Sequence, residues 1–221
     1  MRPLLCLVTD RQRLVRTGGN GRAELAAFVG AAAHAGVDLI QIREPDLDAR
    51  DLFELVGDCL RAAQGSQTHL IVNDRVDVAL ATGAAGVHLR GDSPAASRIR
   101  EVVPEGFLIG RSVHSAGEAV EVADGGGVDY LIAGTVFPSA SKPAARTWLG
   151  LDGLREVVRR VRLPVLAIGG AASATAPAIA STGAAGLAAI GLFADIGPDS
   201  GALAHLVQET KCLFDTSGDL P

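Results

Sequence analysis

The sequence predicts a single-domain (β/α)8 TIM barrel, and three observations carry that expectation. Short apolar runs alternate with Ala/Leu/Arg-rich helical patterns along the chain, giving eight strand–helix pairs. A similar unit recurs at Gly36-Val37-Asp38-Leu39-Ile40, Gly83-Ala84-Ala85-Gly86-Val87, Gly127-Val128-Asp129-Tyr130-Leu131 and Gly183-Ala184-Ala185-Gly186-Leu187. Each places a helix-ending glycine, which adopts the left-handed conformation cheaply, shortly before a strand. The length of 221 residues suits one α/β barrel.

The elements follow in order. Strand Leu4–Thr9 leads through a polar, glycine-rich turn at Thr17–Gly21 to a helix near Ala23–His34. Strand Leu39–Ile42 pairs with helix Ala49–Ala63, strand His69–Asn73 with Val76–Ala81, and strand Gly86–Leu89 with Ala95–Val102. Strand Phe107–Gly110 precedes helix Ala116–Ala123, and strand Tyr130–Ala133 precedes helix Leu151–Val161. Between the last two lies a long loop, Gly134–Gly150, of the kind that serves as a lid or binding loop. Strands Val165–Ile168 and Gly186–Ile190, with helices Ala174–Ser181 and Ala202–Leu213, complete a barrel over residues 1–214; residues 215–221 read as a tail.

Apolar residues make up 48% of the chain and aromatics only 4%, so the core is expected to be Ala, Val, Leu and Ile. A net charge of −5 argues against nucleic-acid binding, which wants a basic face. Cys6, Cys59 and Cys212 form no C-x-x-C, so neither a disulfide framework nor a zinc site is expected; Cys6 and Cys59 read as buried thiols. The apolar stretch before Asp10 is short for a signal peptide, and no uninterrupted apolar run suits a membrane span. A cytoplasmic protein is the expectation.

Polar groups that end parallel strands converge on one mouth of a barrel, where its chemistry lies. Val72–Ser93 is the richest such stretch: one strand ends on Asn73-Asp74, the next on His88-Leu89, followed by Arg90-Gly91-Asp92-Ser93. Gln41 and Arg43 end the second strand on a common side, and a guanidinium there can grip phosphate or carboxylate bidentately. Gly169-Gly170 and Ile190-Gly191 follow the seventh and eighth strands, where backbone N–H groups commonly hold a phosphate; Ser173 is placed to cap the next helix. Lys142, one of two lysines, stands in the long loop as a point charge for an anionic ligand. Ser112 and His114 follow the fifth strand with period-two spacing, and His114 can move protons near neutral pH. His88 lies inside an apolar run and reads as structural.

These motifs resemble the thiamine-phosphate synthase and TenI-type thiazole tautomerase superfamily. The resemblance rests on C-L-V-T-D at 6–10, Q-I-R-E at 41–44, V-N-D-R-V-D-V-A-L at 72–80 and G-V-H-L at 86–89. It continues through I-G-R-S-V-H-S at 109–115, G-T-V-F-P-S-A-S-K-P at 134–143 and A-I-G-G at 167–170. For a synthase it implies that Gln41, Arg43, Asn73, Ser112 and Lys142 hold the pyrimidine and its pyrophosphate. It implies Asp74 as a Mg2+ ligand, and Ser139, Ser141, Gly170, Ile190 and Gly191 as the thiazole-phosphate site. Two departures stand out: Pro45 replaces a lysine of the family pattern, and the second metal ligand falls on Ser93, with Asp92 one residue away. Hard cations want carboxylate oxygens, so this change weakens the metal site.

The sequence therefore favours a TenI-type tautomerase that aromatises thiazole phosphate without a cofactor. Its catalytic residues would be His114 and Ser112, with phosphate held by Gly169, Gly170 and Gly191. The alternative is a thiamine-phosphate synthase using Mg2+ at Asp74. A non-catalytic phosphate-ligand-binding or regulatory protein is the third reading. In each the partner is a small molecule, thiazole phosphate, with neither nucleic acid nor membrane; a homo-oligomer is left open.

Overall fold

Eight short parallel strands close on one another in sequence order, β1-β2-β3-β4-β5-β6-β7-β8, with β1 paired to β8. The computed structural model describes residues 4–14, 21–138 and 148–215. The strands are β1 (Leu4–Val8), β2 (Leu39–Ile42), β3 (His69–Asn73), β4 (Gly86–Leu89), β5 (Leu108–Val113), β6 (Tyr130–Gly134), β7 (Val165–Ile168) and β8 (Gly186–Ala189). The long helices of the outer ring are α1 (Arg22–His34), α2 (Ala49–Ala62), α5 (Ala116–Gly125), α6 (Gly150–Arg160) and α9 (Ser200–Phe214). Shorter ones are α3 (Val76–Thr82), α4 (Ala96–Arg100), α7 (Ala176–Ala180) and α8 (Gly191–Ala194).

The expected (β/α)8 barrel is the observed one, with local differences at the ends of several elements. β5 runs on to Val113, because Arg111–Val113 pair with Leu131–Ala133 of β6. That extension carries Ser112 inside a strand. A 3-10 turn at Arg11–Arg13 and the short α8 also fall outside the expected elements. The four recurring glycines are all left-handed, with φ of 93°, 73°, 80° and 82° at Gly36, Gly83, Gly127 and Gly183, but only Gly83 directly caps its helix; the other three lie in the turn two or three residues past the helix end. The aspartates of two of these units have a second use. Asp38 Oδ2 accepts the Leu5 N–H at 2.9 Å and Asp129 Oδ2 accepts the Ile109 N–H at 2.7 Å, each closing the start of a neighbouring strand.

The core has two shells. Between barrel and helices lies a Leu/Val/Ile/Ala shell that includes Leu25, Phe28, Val56, Leu154 and Phe193. Inside the barrel, Cys6, Val8, Leu39, Ile71, Tyr130, Ile132, Leu166 and Ala188 pack together. Tyr130 fits because β5 offers Gly110 opposite it; a Cβ there would lie 2.0 Å from the Tyr130 ring. Cys6 and Cys59 are buried, as expected, and burial pushes both thiols up to about 12, while Cys212 is exposed. No helix among the described residues is long and apolar enough to cross a membrane.

Candidate active site

The C-terminal ends of the strands open into a cavity of about 620 Å³. Side chains alternate in and out along a strand, so one inward residue per strand end reaches it. Gln41, Asn73, His88 and Ser112 form its polar floor, and Val8, Ile132, Ile168 and Ile190 its apolar wall. Gln41 is buried, and its Nε2 donates to Asn73 Oδ1 at 3.0 Å, which orients both amides. Arg43 follows at the rim, exposed toward the cavity; its backbone N–H donates to Thr9 Oγ1 at 2.9 Å. Its neighbour Glu44 turns the other way. Glu44 accepts from Thr9 Oγ1 at 2.6 Å and from Arg11 NH1 at 3.0 Å, so its ion pair is with Arg11 and not with the adjacent Arg43. Burial raises the Glu44 carboxyl, against the hydrogen bonds from Thr9 and Arg11.

His88 is fully buried, yet its ring reaches the cavity floor. Nε2 lies 2.9 Å from Ser112 Oγ and Nδ1 lies 3.2 Å from the Tyr130 hydroxyl. Burial, with the nearby Arg111 charge, depresses its pKa to about 3, so the ring is neutral near pH 7. It holds Ser112 in place. His114 sits higher, half-exposed at the cavity rim, beside Glu118: its N–H donates to Glu118 Oε2 at 2.7 Å, and Nδ1 lies 3.4 Å from the same oxygen. Ser112 and His114 thus both face the cavity, as their spacing predicts, at different depths.

The corner between β3 and β4 is self-contained. The Ser93 hydroxyl donates to Asp74 Oδ1 and accepts the Arg90 N–H at 2.8 Å. Arg90 NH2 lies 2.5 Å from Asp92 Oδ2, and NH1 lies 3.7 Å from Asp74 Oδ2. A magnesium ion needs carboxylate oxygens free to turn toward it. Here a hydroxyl replaces the second carboxylate and a guanidinium faces both aspartates, so the residues present do not fit that ion. Among the described residues no group of three or more His, Cys, Asp or Glu could hold a metal.

A second cavity, of about 540 Å³, adjoins the first over β7 and β8; Arg13, Ile168, Gly169 and Ile190 line both. Gly169, Gly170 and Gly191 lie on it, as the sequence predicts. Gly169 and Gly170 are left-handed, with φ of 95° and 65°, and a Cβ on either would strike Thr135 or Phe137 of the loop after β6. Ser173 lines this cavity but does not cap α7; Thr175 Oγ1 instead accepts the Ala172 N–H at 2.9 Å. Ser139, Ser141 and Lys142 lie outside the described residues, as does most of the long loop. Its stems are anchored by Leu149 N–H to Thr135 O at 2.8 Å and Phe137 N–H to Gly169 O at 3.0 Å.

Sequence reasoning passed over Arg13. It sits in the turn after β1, pairs with Asp10 at 3.3 Å, and reaches both cavities. The basic cluster Arg11-Gln12-Arg13 directly after a strand end was the available signal.

A closed barrel with two adjoining cavities at its C-terminal mouth, rimmed by arginines on one side and glycine loops on the other, has the architecture of a small-molecule barrel enzyme. The chain belongs to the thiamine monophosphate synthase family, whose model matches residues 5–193. It is 40% identical over 203 residues to a putative thiamine-phosphate synthase of Geobacter sulfurreducens, covering 91% of this chain and 92% of that one. It is 43% identical over 192 residues to the thiamine-phosphate synthase of Methanocella arvoryzae, covering 84% of each. Among solved structures, thiamine phosphate pyrophosphorylase from Pyrococcus furiosus matches with a TM-score of 0.81 and 31% identity, over 96% of this chain and 97% of that one. A 3-hexulose-6-phosphate synthase shares the fold at 19% identity and a TM-score of 0.68.

Proposed function

We propose that the chain is a thiamine-phosphate synthase, joining a pyrimidine pyrophosphate to a thiazole phosphate. This reverses the order favoured by the sequence, in which the tautomerase came first, and the similar proteins that carry the synthase name support the reversal. The observation that carries the reading is the pair of adjoining cavities. A coupling reaction needs two ligands side by side, whereas a tautomerase needs one.

The main cavity suits the pyrimidine pyrophosphate. Gln41 and Asn73 offer amide groups to a heteroaromatic ring, and Arg43 and Arg90 offer guanidinium groups to the pyrophosphate. The glycine loops after β7 and β8 suit the thiazole phosphate, with Arg13 between the two ligands. In the reaction the carbon–oxygen bond to pyrophosphate breaks, and pyrophosphate leaves with the electron pair. The thiazole nitrogen then donates its lone pair to the pyrimidine methylene carbon and becomes a quaternary cation. No proton moves in that exchange, so a neutral His88 is compatible with it. The apolar wall of Val8, Ile132, Ile168 and Ile190 keeps water from capturing the electrophilic carbon.

Supplying both substrates should yield thiamine phosphate and pyrophosphate in equal amounts. Absence of both products, with the chain folded, overturns the reading. A second reading is favoured by the His114–Glu118 pair at the cavity rim, which is placed to move a proton on a thiazole phosphate. It expects isomerisation of the thiazole tautomer alone, lost in His114→Ala; unchanged turnover in that variant removes it.

A further inference from the structure

Asp74 adopts a left-handed conformation, with φ of 59°, the only non-glycine among the described residues to do so. This turns its carboxylate toward the loop after β4. That loop is pinned by a separate residue. Arg111 NH1 donates to Pro94 O at 2.7 Å, and NH2 donates to Gly91 O at 2.8 Å and Ser93 O at 2.9 Å. A further turn bond runs from Ser93 N–H to Arg90 O at 3.2 Å. The backbone under Arg90 is therefore fixed on both sides, and its side chain projects at the cavity mouth between two carboxylates.

We propose that Arg90 is the resident cation of this corner. Its guanidinium stands between Asp74 and Asp92 and presents its remaining N–H groups to a diphosphate group in the main cavity. The proposal rests on the coupling reaction, which brings that group there. A guanidinium has five donors in a planar fork, enough to meet two carboxylates and still face phosphate oxygens. Asp74 and Asp92 then hold the arginine in position, and Ser93 fixes Asp74 through its hydroxyl. Because the positive charge belongs to the chain, binding of a diphosphate here does not require magnesium.

The test uses inorganic pyrophosphate titrated into the full chain, with a chelator and then with saturating magnesium, and Mn2+ alone as a spin probe. Pyrophosphate is expected to bind in chelator, with an affinity that magnesium changes by less than about threefold, while Mn2+ alone does not bind at Asp74. Arg90→Gln should weaken pyrophosphate binding in chelator by about tenfold, and Arg90→Lys, which keeps charge without the fork, by less. The proposal is overturned by Mn2+ binding that is lost in Asp74→Ala, by pyrophosphate binding that appears only with magnesium, or by an Arg90→Gln chain that binds as the parent does. No binding of pyrophosphate in chelator also overturns it. Failure of the coupling reading is a separate result, in which pyrophosphate binds as expected and the two substrates form no thiamine phosphate.

Discussion

The two rims of the barrel mouth are made of different material. Over β2–β4 the rim is built from side chains: Arg43, Asp74 and Arg90. Over β7 and β8 it is built from backbone, through Gly169, Gly170 and Gly191. A side-chain rim can exchange one charge for another while the strands beneath it stay paired. Gly169 and Gly170, packed against Thr135 and Phe137, cannot accept even a methyl group without moving those neighbours, whereas a Cβ on Gly191 would make only ordinary contacts. The first rim is thus free to vary its ligand chemistry, and the second is tied to the fold.

Substitutions should divide along that line. The largest stability loss is expected at the backbone rim. In Gly169→Ala the new Cβ would lie 2.1 Å from Thr135 Cγ2, at a φ of 95°. Strain and overlap of this kind each cost ~1–3 kcal/mol, so urea denaturation should show a loss of about 3 kcal/mol. A loss below about 0.5 kcal/mol, the range of ordinary surface substitutions, would mean the glycine rim is not tied to the fold.

The floor between the rims should respond to pH. The unfolded chain protonates His88 near 6.5, whereas the folded one resists until about 3. The stability that goes with a neutral ring is fully present above pH 6.5 and is lost as pH falls toward 3. The slope attributable to His88 is about 1.4 kcal/mol per pH unit in that window. The raised Glu44 carboxyl acts in the opposite sense, and Asp46, held at about 2 by its Arg11 hydrogen bond, acts in the same sense in more acidic solution. Comparing the parent with His88→Gln cancels both, and identical acid slopes in the two chains would refute the assignment.

The side-chain rim comes next. Arg111→Met removes three hydrogen bonds to the loop carbonyls at 91, 93 and 94. The expected loss is about 2 kcal/mol, seen as faster amide exchange over residues 90–94. Unchanged exchange there would show that the loop holds itself. Arg43→Ala should be the mildest, since no ion pair holds its guanidinium among the described residues. Stability should stay within about 0.5 kcal/mol of the parent while pyrophosphate affinity falls. A large drop in melting temperature would place Arg43 in the scaffold and not at the ligand.

Much of this was legible in the chain itself. β2, β3, β4 and β7 fall on the expected boundaries, because a buried parallel strand is a short apolar run with turn residues at either end. The end of β5 was not visible, since Arg111 and Ser112 are polar and only their pairing with β6 marks them as strand. Gln41 and Ser112 were readable from period-two spacing and Asn73 from its place at a strand end, and the structure brings all three to one floor. His88 was read as structural and is buried as expected, but its link from Tyr130 to Ser112 joins residues 42 and 24 positions away. No local pattern contains that link.

By itself the sequence determined the barrel, its family and the strand ends that carry polar groups. These depend on periodicity, on helix-ending glycines and on short motifs, all of which are local properties of the chain. Only the tertiary structure decided which charge faces which. Arg11 rather than Arg43 meets Glu44, Arg13 reaches across two cavities, and Arg90 stands between Asp74 and Asp92. The physical reason is that an electrostatic contact is set by distance in space, and closing a barrel brings together side chains that the sequence keeps apart.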